Sequence, residues 1–328
     1  MEAATTAFTR TLEVALTHRD LDVAVEAGAR KIYTEGMLHA DLGAMKRDAT
    51  FLLPLSLGLP GDHFARPLLL NNVGGAYMAA GDRAEAQRHY QAAHDALAGV
   101  RDVDPELTCV DENLARLTRD PFAREALVRG AWTRKRAALG DANLATLGAL
   151  NLYARLTADP ARALPLLAQS CEAYATLHPE LVESRASCES YRAFLTEQLG
   201  DRTGALRIYE AIIALGKVPN DDVLSSYVTL ATGSAALLRG DLPGAAHAWQ
   251  KIAEIDAPSP YWWIRVRAAH AEHGLGTVAH ILHNETEAAS HFERAIRTYR
   301  EVAVLNEETE YRVRLDLAQS SLKLAHRR

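Results

Sequence analysis

Cysteine is scarce in this sequence: Cys109, Cys171 and Cys188 are the only three in 328 residues, and their spacing fits no metal-binding pattern. An odd, scattered set predicts reduced thiols and a cytoplasmic setting. Aromatic residues make up only 6% against a hydrophobic share of 48%. The apolar content is therefore carried by Ala and Leu, which suits close-packed helices better than sheets. Long apolar runs are missing too. The longest, Phe51 to Leu59, is broken by Pro54 and falls well short of the roughly 20 residues of a membrane span. The opening stretch, MEAATTAFTRTLEVALTHRD, carries charges throughout and reads as an amphipathic helix, not a secretion signal.

Positive charge is not in excess: 36 Lys and Arg stand against 42 Asp and Glu, a formal net charge of -6. That balance argues against a nucleic-acid or anionic-membrane binder. The basic run Arg129, Arg134, Lys135 and Arg136 contains Trp132 as its one aromatic and lies among Asp120, Glu125 and Asp141, so it reads as a solvated helical face. Catalytic signatures are absent as well. GxxxxGK[ST], HExxH, GxSxG and CxxC do not occur, and Gly74-Gly75 falls inside a helical pattern where no phosphate loop can form. No enzyme, cofactor or metal is expected.

What the chain does have is a recurring hinge. Gly81-Asp82, Gly200-Asp201 and Gly240-Asp241 are each followed by an alanine five residues after the glycine (Ala86, Ala205, Ala245) and an aromatic four further on (Tyr90, Tyr209, Trp249). His283-Asn284, with Ala288 and Phe292, makes a fourth copy, in which Asn is expected to tolerate the left-handed turn. Asp120-Pro121 and Asp159-Pro160 mark two further helix starts, with proline at the first helical position. The downstream period is about 40 residues. Near the N-terminus, Thr5 to His18 and Leu21 to Tyr33 can pair around Arg19-Asp20.

The best-defined copy, Leu70, Val73, Gly74 and Tyr77 followed by Ala86, Tyr90 and Ala93, resembles the tetratricopeptide repeat, a helix–turn–helix unit. The longer period is similar to that of kinesin light chains and of several bacterial regulators. The resemblance implies an all-α, right-handed solenoid. It divides the chain into a divergent N-terminal helical cap (1–62), an array of about six hairpins (63–305) and a C-terminal capping helix (306–328). It also implies an inner wall lined by the first helix of each hairpin.

Projecting those first helices places Asn71, Leu152, Arg155, Phe194, Glu197, Tyr227, Leu230, Leu237, His270, His273 and His280 on the wall, and Asn72 adjoins Asn71 on the first helix of the best-defined copy. Asn71 and Asn72 are candidate ligand amides, but Leu68 and Ala149 stand where a carboxylate clamp would need cations. His270, His273 and His280, with His283 and His291 near, lack the Cys or clustered carboxylates of a metal site and read as polar wall histidines, open to a pH-sensitive contact. Tyr261-Trp262-Trp263 is a candidate interface cluster. The middle of the wall is more apolar than a solvated trough requires, so either a guest polypeptide or another part of this chain covers it. The expected function is a non-catalytic scaffold for a protein or peptide partner. The alternative is a signal-sensing module acting on a partner output protein.

Overall fold

The computed structural model describes residues 2–38, 41–100, 105–216, 222–259, 262–305 and 309–326, among which there is no strand. Tyr261 lies outside these residues, and so do the side chains of Trp262 and Trp263. Two compact units emerge, Met1–Gly140 and Asp141–Arg328, so a boundary falls inside the expected 63–305 array.

The first unit contains α1 (Glu2–His18), α2 (Leu21–Ile32), α3 (Leu42–Leu55), α4 (Ala65–Ala79), α5 (Arg83–Leu97), α6 (Cys109–Leu117) and α7 (Pro121–Leu139). The second contains four hairpins and a last helix: α8 (Leu144–Leu156) with α9 (Pro160–Leu177), α10 (Val182–Gln198) with α11 (Arg202–Ala214), α12 (Asp222–Arg239) with α13 (Leu242–Asp256), α14 (Trp262–Ile281) with α15 (Glu285–Leu305), then α16 (Thr309–Ala325).

The hinges share one local chemistry. Gly81, Gly200 and Gly240 adopt φ of +79°, +90° and +83°, the left-handed region that glycine enters without a Cβ penalty. The next N–H reaches back five residues, as from Asp82 to the Tyr77 carbonyl at 2.9 Å and from Asp241 to the Ala236 carbonyl at 2.9 Å. The same aspartates then cap the following helix by accepting from Glu85, Gly204 and Gly244 N–H. Asp120 and Asp159 cap α7 and α9 ahead of their prolines.

At the fourth hinge the roles differ from the sequence expectation. His283, not Asn284, takes the left-handed conformation at φ 60°, and Asn284 stands in the aspartate's place at the start of α15. A non-glycine residue there carries a steric penalty. His283→Gly is therefore expected to raise stability by about 1 kcal/mol, read as a later midpoint in urea unfolding.

Packing explains the small and aromatic positions. Ala86, Ala205, Ala245 and Ala288 are fully buried where helices touch. Three of the four aromatics, Tyr90, Trp249 and Phe292, lie on glycines of first helices, and Tyr209 faces an α10 that has none. A Cβ on Gly74 would fall 2.8 Å from Tyr90, and one on Gly276 would fall 2.6 Å from Phe292. Trp249 of α13 is held on both sides, since a Cβ on Gly233 of α12 or on Gly274 of α14 would come within 2.5 Å of its ring. One indole thus stacks two successive hairpins.

The reduced-thiol expectation is corrected. Cys171 of α9 and Cys188 of α10 are joined as a buried disulfide, 17 residues apart in sequence and brought together by helix packing. Disulfides are uncommon in reducing compartments, so the cysteines no longer support a cytoplasmic setting. No described helix is long and apolar enough to cross a membrane.

Candidate functional site

In the first unit, the candidate amides are structural. Asn71 and Asn72 are 7% and 6% exposed. Asn72 Nδ2 donates to the Ala29 carbonyl of α2 at 2.9 Å, and Asn71 Oδ1 accepts from Asn113 Nδ2 of α6 at 3.0 Å. Their hydrogen-bonding capacity is spent holding α4 to its neighbours, which corrects their reading as ligand contacts. The basic run departs from a solvated face at one residue. Lys135 is 7% exposed and pairs with Glu112 at 2.5 Å, while Arg134 pairs with Asp111, which also receives His94 at 2.6 Å. Lys135 is thus withdrawn from solvent against α6, while Arg129, Arg134 and Arg136 remain on the exposed face.

The second unit brings the other candidates together. First helices α8, α10, α12 and α14 lie side by side, and α16 packs along α15 while also touching α14 and α8. Leu152 and Phe194 are buried, and Arg155, Glu197, Tyr227, Leu230 and Leu237 are half-buried. Leu230 and Leu237 pack into the core around Trp249 and Leu275. Part of the wall is covered by the chain itself: Val313 and Leu317 of α16 pack on the cluster that holds Leu147, Phe194 and Leu195.

Polar groups fasten this cover. Glu310, 5% exposed, accepts from Arg155 Nη1 at 2.8 Å and from Arg314 Nε at 3.0 Å. The Arg314 guanidinium sits 3.8 Å from the centre of the Phe194 ring. From Arg155 the network continues across the wall. Its Nη2 donates to Ser187 Oγ at 3.2 Å, Tyr227 donates to the same oxygen at 3.1 Å, and Arg267, paired with Asp256 at 3.0 Å, lies over the Tyr227 ring.

The histidine set divides. His280 pairs with Glu285 at 2.7 Å and His291 with Glu272 at 2.6 Å. His270 and His273 lie between α14 and α16, with His273 Nε2 3.4 Å from Ser321 Oγ and His270 beside the Tyr299 ring. Burial, reinforced by the Arg314 cation, holds His273 down to about 4 and His270 well below the ordinary range. Burial pushes the Glu197 carboxyl up, against the hydrogen bond it accepts from Tyr209.

Glu310, Val313, Arg314 and Leu317 were not among the expected wall residues. Their signal lies in the sequence of α16, TEYRVRLDLAQSSLKLA, where this second face sits beside the apolar face that packs on α15. A cap needs only one of the two.

No protein-family model matches the chain, and no curated protein is significantly similar to it in sequence. Solved structures do resemble it. The apo form of RapI superposes with a TM-score of 0.63 at 12% identity, covering 99% of this chain and 97% of that one. NprR in complex with its cognate peptide NprX gives 0.56 at 12% identity, with 90% and 82% covered. A Rap protein complexed with competence and sporulation factor gives 0.52 at 12% identity, with 99% of both covered. At this identity the likeness is one of fold: an all-α array of helical hairpins.

Proposed function

We propose that this chain is a tetratricopeptide-like recognition module that binds a polypeptide segment on the wall of its second unit and carries out no bond chemistry. The observation that carries this reading is the seat of α16. The wall already holds a helix by two apolar side chains, one buried ion pair and one cation on an aromatic ring, which is the chemistry of helix-in-groove recognition. Similar folds support it, since NprR is described with its cognate peptide. A signal-sensing role on a partner output protein is the more specific form, favoured because a guest must contend with a resident helix.

Capture from native extract, with acid-eluted ligands identified by mass spectrometry, tests this. Wild-type protein is expected to return a discrete peptide or polypeptide set that is lost from a folded Tyr227→Asp variant. An unchanged set would remove the wall as the binding surface.

A further inference from the structure

We propose that α16 is a displaceable occupant of this wall, and that the guest which displaces it is an acidic amphipathic peptide whose carboxylate replaces Glu310 at Arg155. This rests on the recognition reading above and specifies its ligand.

Two features separate α16 from a simple end cap. Its apolar side is already satisfied by α15, where Leu315, Ala318 and Leu322 pack with Ala295, Ile296 and Tyr299. Its wall side adds a polar fastening, the Glu310 pair, Arg314 on Phe194 and a long His273–Ser321 contact, to the apolar contacts of Tyr311, Val313 and Leu317. Desolvation offsets most of the attraction in a buried ion pair. Both partners regain water when the helix lifts, so a polar fastening opens more readily than an apolar one of equal area.

The wall that α16 would leave behind defines the guest. Arg267 keeps Asp256, and Glu197 keeps Tyr209. Arg155 keeps Asn151 and Ser187 but gives up the Glu310 carboxylate, so the surface gains a cation beside Phe194 and two histidines. A carboxylate followed by apolar residues three and seven positions later, as Glu310 is by Val313 and Leu317, matches it. The guest needs no cation, because its carboxylate is answered by Arg155.

Two synthetic peptides of residues 309–325 test the idea on the full chain, one with Glu and one with Gln at position 310, both carrying Arg314→Gln. Binding is followed by fluorescence anisotropy and α16 by amide hydrogen exchange. The Glu peptide is expected to bind about tenfold more tightly than the Gln peptide. That ratio should vanish in the Arg155→Met chain, and affinity should rise in the Glu310→Gln chain, whose own α16 is loosened. Exchange across 309–325 of the chain should accelerate as the peptide binds. Binding that leaves those amides protected would overturn displacement while sparing recognition. An undiminished ratio in the Arg155→Met chain would overturn the carboxylate assignment. Failure of the Glu peptide to bind a folded Glu310→Gln chain would overturn the proposal outright, and the capture experiment would then judge recognition separately.

Discussion

Lowering the pH from 7 to 4.5 is expected to loosen α16 before the rest of the second unit unfolds. His270 faces Tyr299 of α15, Arg314 of α16, Arg155 of α8, and Arg267 and His273 of its own helix. His273 faces Phe292 of α15 and Arg314 and Ser321 of α16. Both are neutral in the closed form, and with α16 released they return toward the ordinary value of about 6.5. The released form then binds more protons. Closure is unaffected above about pH 6.5 and loses up to about 1.4 kcal/mol per pH unit per histidine below it, until the closed-form value near 4 is reached for His273. Glu197 opposes this: its raised carboxyl favours the folded form as pH falls. Hydrogen exchange over 309–325, corrected for intrinsic rate, reads the balance. His273→Gln should flatten the profile. A profile that is flat in the wild type, or as steep in the variant, would refute the assignment.

Glu310→Ala is the second large effect. It leaves Arg155 and Arg314 facing each other in a buried site without a carboxylate, a loss of about 3–5 kcal/mol when one member of a buried pair is deleted. Release of α16 sets a ceiling, because Arg155 is solvated once the helix departs. The result should be lost protection confined to 309–325, with the α8–α15 hairpins still cooperative in urea. A cycle with Arg155→Met is expected to show coupling of about 1–3 kcal/mol. Additive effects would mean that the two side chains do not act as a pair.

The repeat was legible because its determinants are local. A left-handed glycine, a capping aspartate and an alanine five residues after the glycine are set within six consecutive residues, and the Pro160 and Pro121 starts follow the same logic. Depth was harder to read. Helical projection assigns a face but not what lies against it, so Asn71 and Asn72 looked like wall residues although Ala29 and Asn113 meet them. Long-range partners were invisible for a related reason. Arg155 and Glu310 are 155 residues apart, and nothing in either segment names the other. The Cys171–Cys188 bond depended on the packing of α9 on α10, which brings together two cysteines that the sequence shows only as scattered. His283 shows the converse: a residue other than glycine takes the left-handed position, at φ 60°, and composition alone did not mark it.

The indole of Trp249 has a mechanical consequence. Because it fills a slot cut by Gly233 on one side and Gly274 on the other, α12 and α14 cannot slide past each other without an overlap that close-packed interiors do not absorb. That joint behaves as a rigid tooth, so flexing that accompanies departure of the last helix must be taken up at neighbouring joints.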